Sequence, residues 1–300
     1  MAIGIFVWCE LTPLFLQKNV PYRPRSGGYT YTRLREADSA KNIDALVVGS
    51  SHAYREIDPR IFEKEGVKIF NLGSSAQTPI QTLYLLEKYL DIIKPKVVLY
   101  ETYFKTFQLD GIESAADLYS NTTPIDRGLL RMALKINAVQ SYNTLLYAWI
   151  KQMLPNSHIE SEKLHLGNDT YVKGGYVERE IKYYKKNTKH VIGVKYEFDD
   201  NQVDAFNKIV LLLKQKNIKL ILFEAPVPVS TYQTISDQKT FENFVGSKGE
   251  FFYNYNHNHL FTDSDFYDDN HLNQIGVDKF DAIFIDSLKS NKSIANLLFD

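Results

Sequence analysis

Cysteine is nearly absent: the 300 residues hold one, Cys9. A lone cysteine excludes an internal disulfide framework and a zinc site built from several thiolates. It suits a cytosol or a bacterial periplasm equally, so it does not choose the compartment. A charge excess is lacking too, since 35 basic and 36 acidic side chains leave a formal net charge of −1. Non-specific nucleic-acid binding draws on a large basic excess that releases counterions, so no nucleic-acid partner is expected. No apolar run reaches the roughly 20 residues that a membrane-crossing helix needs. Internal repeats and low-complexity tracts are missing, which argues against solenoids and fibrous chains. What is there is a globular mixture, 44% hydrophobic and 13% aromatic. At this length about three quarters of the unfolded surface is expected to be buried, enough for a core without staples.

The N-terminal stretch is ambiguous. Ala2 to Trp8 is apolar and Leu11 to Leu16 nearly so, with Glu10 and Pro13 as interruptions. It has neither the basic start nor the small-residue cleavage site of a signal peptide. Trp8 is bulky where a lipoprotein box has a small residue. Two readings stay open: the remnant of an N-terminal membrane anchor, or a packed terminal segment. Pro21 to Thr32, rich in Pro, Gly, Arg and Tyr, reads as an irregular arm. Residues 1–40 are therefore read as an arm and 41–300 as one domain.

Within that domain short apolar runs alternate with helical spacing. Ile43 to Val48 is a run that ends at Gly49-Ser50-Ser51, and Val67 to Leu72 is a second that ends at Gly73. Such runs, bounded by turns, suit buried parallel strands. Pro79 to Ile93 has helical periodicity and stops at Pro95. Lys96 to Tyr100 is a third strand, Val203 to Lys216 a helix, Lys219 to Phe223 a fourth strand, and Phe251 to Tyr255 a short fifth. Gly276 to Leu288 closes the chain as a helix. This alternation predicts an α/β domain with a parallel sheet between helical layers. Residues from about 104 to 200 break the rhythm and read as an insertion. Asp126 to Leu154 looks helical, and Asn156 to Asp200 is polar, Tyr-rich and Lys-rich without a clear period. Its basic run, Lys182, Lys185, Lys186, Lys189 and His190, reads as a solvated face, with an anionic-glycan surface as the alternative.

Ligands of open parallel sheets bind at the carboxyl ends of the strands. Gly49-Ser50-Ser51-His52 follows the first strand, Asn71 to Thr78 the second, and Glu101-Thr102-Tyr103 the third. Asp268-Asp269-Asn270-His271 comes late in the chain. Serine, histidine and carboxylate are the parts of a nucleophilic triad. Ser51 alone could be a helix cap, Gly73 only a turn residue, and His52, Glu101 and Asp269 local or structural groups.

The arrangement resembles the SGNH/GDSL hydrolase superfamily. Gly49-Ser50-Ser51 is similar to its Gly-Asp-Ser block with Ser50 in place of Asp. Asn71-x-Gly73-x-Ser75 is similar to its second block, and Asp268-x-x-His271-Leu272-Asn273-x-x-Gly276 to its fifth. The closer likeness is to the bacterial envelope branch that handles O-acetyl groups on polysaccharides. The resemblance implies a three-layer α/β/α fold, Ser51 as nucleophile, His271 as general base and then acid, and Asp268 to orient it. It further implies an oxyanion hole from the Ser51 and Gly73 amides. The Asn of the family's third block is absent, and Tyr103 stands there with a phenol that can donate instead. No cofactor and no metal are implied. The partners implied are an acylated carbohydrate or small acyl ester and a membrane-bound acyltransferase, in the bacterial periplasm or another extracytoplasmic compartment.

Three rivals are set beside this reading. Gly49-Ser50-Ser51-His52-Ala53 nearly matches the nucleophile elbow of an α/β-hydrolase. His257-Asn258-His259 with Asp263, Asp265, Asp268, Asp269 and His271 could serve a metal-dependent hydrolase. A degenerate site that only binds glycan or assists envelope assembly would explain the missing Asn.

Overall fold

Gly49, Gly73 and Thr102 each follow a strand of one parallel sheet, which sets where chemistry can gather. The computed structural model describes residues 19–25, 28–154, 161–185, 197–257 and 260–299. In chain order the first elements are α1 (Thr30–Ala37), β1 (Ala45–Val48), α2 (Ser51–Glu56), α3 (Pro59–Lys64), β2 (Ile69–Asn71), α4 (Pro79–Ile93) and β3 (Val97–Glu101). Then come α5 (Ile112–Asn121), α6 (Arg127–Ile136), α7 (Val139–Met153), β4 (His165–Leu166), β5 (Asp169–Val172) and β6 (Tyr176–Arg179). The last are α8 (Asp200–Gln215), β7 (Lys219–Glu224), α9 (Val229–Tyr232), α10 (Gln238–Gly246), β8 (Phe251–Asn254), α11 (Gln274–Ser290) and α12 (Lys292–Leu298).

The main sheet has the order β2-β1-β3-β7-β8, with every pair parallel. The strands alternate between two buried cores because successive side chains point to opposite faces. Leu46, Val48, Val98, Tyr100 and Leu222 enter one core with Leu86 and Leu90 of α4 and Phe206 and Ile209 of α8. Val47, Val97, Leu99, Ile221 and Phe223 enter the other with Phe62 of α3 and Phe280 and Phe284 of α11. The result is the expected three-layer α/β/α arrangement. Apolar side chains on both faces explain why these strands read as continuous runs rather than alternating ones.

The inserted region has more structure than its sequence suggests. The stretch from Asp126 to Leu154 is two helices, because Asn137 adopts a left-handed conformation with φ 50° between them. Leu129, Met132, Ala133 and Leu145 of this pair join the core of the α4 side. The stretch expected to be irregular holds an antiparallel sheet, β4-β5-β6. Its strands are short and half-exposed, so they lack a buried run to read. Among the described residues no helix is long and apolar enough to cross a membrane. Cys9, Lys186, Lys189, His190 and His259 lie outside the described residues.

Candidate active site

β1 ends against β3, with Val48 opposite Tyr100. Gly49 then turns the chain into α2 at φ +141°, where an added Cβ would lie 2.7 Å from the Glu101 carbonyl oxygen. Only glycine permits that close approach. Ser50, not Ser51, caps α2: its backbone is extended and its side-chain oxygen accepts the His52 N–H. Ser51 is the first helical residue, which leaves its hydroxyl unused by capping.

The Ser51 Oγ lies 2.8 Å from His271 Nε2 across 220 residues of sequence. His271 Nδ1 in turn lies 3.0 and 3.1 Å from the two Asp268 oxygens. A carboxylate accepts only, so the Nδ1 proton goes to Asp268, and Nε2 is left to accept from the serine. The turn is built by Asp268 itself, whose Oδ1 also accepts the N–H of Asn270 at 2.9 Å and of His271 at 2.8 Å. Although burial opposes ionisation, the bonds from His271 and these amides hold the Asp268 carboxyl well below its ordinary range. Asp269 stays outside the triad and receives a bond from Asn270 Nδ2. The three catalytic residues expected from sequence are therefore brought together.

A fourth side chain meets them that sequence reasoning did not find. Arg179, at the end of β6, places Nη1 3.5 Å from Asp268 Oδ2 and stacks 4.5 Å over the Tyr267 ring. Its Nε donates to Asp169, which also takes both guanidinium ends of Arg55. Asp169 is kept below the ordinary carboxylate range by these cations against its partial burial. The inserted sheet is thus tied by charge to α2 and to the triad at once. No spacing rule signals such a contact, which comes from a hairpin folding back over the sheet edge.

The oxyanion donors depart from expectation. The Tyr103 hydroxyl donates to Asn270 Oδ1 at 2.9 Å, so its single proton braces the Asp268–His271 turn instead of facing Ser51. The Gly73 N–H donates to Asn71 Oδ1 at 2.9 Å. Of the three donors expected, the Ser51 amide is the one without an acceptor among the described residues. Asn71 explains this: its side chain bridges the Ala53 carbonyl and the Gly73 amide, fixing the β2 turn against α2.

Behind the triad lies a layer of buried polar groups. The Glu101 carboxyl lies 2.9 Å from the Ser50 hydroxyl, and burial pushes it up to about 8. Burial raises Glu56 and Glu224 as well, with the charge of Glu101 adding to the effect. His52 is stacked on His271, with ring centroids 5.0 Å apart, and lies 4.2 Å from the Tyr103 ring.

Two of the residues weighed as metal ligands have other partners. His257 pairs with Glu242, and Asp265 accepts from Thr262 and Lys279. Among the described residues no group of three or more His, Cys, Asp or Glu side chains is placed to hold an ion. In comparisons with known proteins, no family profile matches the chain and no curated sequence matches it.

Proposed function

We propose that this protein is a serine-dependent esterase or acyltransferase that acts on O-acyl groups, O-acetyl foremost, of a cell-envelope carbohydrate. The observation that carries the reading is the Ser51–His271–Asp268 geometry at the carboxyl edge of a parallel sheet. Ser51 Oγ would attack the acyl carbonyl while His271 Nε2 takes its proton, and Asp268 would stabilise the imidazolium. The Ser51 amide would donate to the oxyanion. Collapse of the tetrahedral intermediate expels the sugar oxygen, which receives the proton from His271 and leaves acyl-Ser51. Water or a second sugar hydroxyl then adds to the acyl carbon, His271 taking its proton, and as the acyl–Ser51 bond breaks His271 returns that proton to the Ser51 oxygen.

The sugar and envelope parts of the reading draw on the motif resemblance and on the apolar residues near the start of the chain. A cavity of about 570 Å³, lined by Arg23, Ser75, Asp110, Glu113 and Gln140, adds polar groups suited to a sugar. It opens beside Ser75, two residues beyond the Gly73 turn. A membrane-bound acyltransferase is the proposed source of acyl groups.

Labelling with an active-site serine phosphonate, read by mass spectrometry beside an aryl-acetate assay, tests this directly. One adduct on Ser51 is expected, and Ser51→Ala should lose the adduct and at least about 1,000-fold of kcat/KM. The occupied Tyr103 and Gly73 donors favour a second reading, a binding protein with a degenerate site. A folded protein with neither adduct nor turnover decides for it.

A further inference from the structure

His52 has a role that its place in the sequence does not suggest. Its Nε2 lies 2.9 Å from the Asn270 carbonyl oxygen, and its Nδ1 lies 3.2 Å from Ser50 Oγ. A carbonyl only accepts, so Nε2 carries the proton there, and in a neutral ring Nδ1 accepts from Ser50. Ser50 has one proton, and its oxygen also lies 2.9 Å from Glu101 Oε2. Both contacts are satisfied with a neutral imidazole only if Glu101 is the protonated partner and donates to Ser50. The order of donors is then Glu101, Ser50, His52, Asn270 carbonyl.

We propose that this buried chain fixes His52 as its Nε2–H tautomer, and that His52, acting through the Asn270 carbonyl, is a positioning residue for His271. The second half rests on the triad reading above. Asn270 is the residue immediately before His271, and the His52 ring supports the His271 ring from beneath. Tyr103 holds the Asn270 side chain from the third strand, so one residue is gripped at both backbone and side chain. The groups that face His52 are His271 and Asp268 of the late turn, Lys105 and Tyr103 after β3, and Glu101 through Ser50. Glu101 in turn adds to the raised values of the buried Glu56 and Glu224. Burial, then the neighbouring His271, holds His52 well below its ordinary value, which agrees with a neutral ring.

Nitrogen-15 NMR of histidine-labelled protein tests the chain without any acyl chemistry. His52 is expected as neutral Nε2–H throughout pH 5 to 8, and Ser50→Ala should erode that tautomer. An Nδ1–H tautomer, or ordinary titration of His52, overturns the chain. The positioning half is read on the proton that His271 Nδ1 shares with Asp268. In His52→Phe, which keeps a ring but no hydrogen bonds, that resonance should broaden or exchange faster, and an unchanged resonance overturns this half. With aryl acetate, Ser50→Ala and His52→Phe should lower kcat by about 10- to 100-fold at unchanged KM. Glu101→Gln can still donate to Ser50, and should stay within about 2-fold at pH 7 while holding its activity to higher pH. Equal kcat in wild type and both Ser50→Ala and His52→Phe overturns the positioning role. An inert wild type with the predicted NMR spectra refutes the esterase reading alone.

Discussion

Asp268 serves three donors at once, and Arg179 adds a cation 3.5 Å from its second oxygen. Its contact ties the inserted hairpin to the turn that carries His271. Arg179→Gln is therefore expected to lower kcat/KM by about 2- to 10-fold with the fold intact. Steady-state kinetics with aryl acetate check it, and an unchanged kcat/KM would show that Arg179 only ties down the insertion. Tyr103 divides two roles as sharply. If its hydroxyl donated to the oxyanion, Tyr103→Phe would cost about 100-fold or more in kcat. Because that proton goes to Asn270, a loss below about 10-fold is expected. Ser51 could be read from sequence because it follows the first strand, and Asp268 and His271 through their three-residue spacing and the motif resemblance. Arg179 could not, since only the tertiary path of the hairpin brings it there, and the Tyr103 and Gly73 hydrogen bonds depend on Asn270 and Asn71 rotamers that no spacing encodes.

Between elements, the turn joining β5 to β6 settles on the edge of the main sheet. Asn71 donates its N–H to the Gly174 carbonyl, which covers the open edge of β2. Gly175 sits at φ +88°, and an added Cβ would be 2.2 Å from the Asn71 carbonyl oxygen. Gly175→Ala is expected to cost about 2–3 kcal/mol from backbone strain and displacement together. Gly167 is the control, with φ +60° and open space around its Cβ position, so Gly167→Ala should cost about 1 kcal/mol. Thermal melting of both variants separates a clash with β2 from backbone strain alone, and equal losses would refute the docking argument. The main strands were legible because each is an apolar run buried on two faces. This hairpin was not: β4 is exposed, and β5 and β6 are held by distant partners such as Glu36, which accepts from Tyr171 and from the Gly174 amide.

Among the described residues, two opposed sets of carboxyls are shifted by their surroundings. Asp126, Asp169 and Asp268 are held below their ordinary range by the cations and hydrogen bonds around them, against partial burial. Their stabilisation is present above the ordinary aspartate range and is lost as pH falls through the lowered values. Glu56, Glu101, Glu224 and Asp281 are raised by burial. Each keeps a proton in the folded state that the unfolded chain has already released, so their contribution declines as pH rises. For Glu101 that window runs from 4.5 in the unfolded chain to about 8 in the fold. His52, neutral in the fold and held below its ordinary value, opposes the second set up to the ordinary imidazole range near 6.5, so above that range the raised carboxyls act without it. The melting temperature should therefore fall from pH 6.5 to 8, and the fall should be shallower in Glu101→Gln, which has no proton to lose. Parallel pH–melting curves for the two proteins would mean that Glu101 is already ionised in the fold. That result would also remove the proton donor at the head of the Ser50–His52 chain, so one stability experiment bears on the arrangement behind the triad.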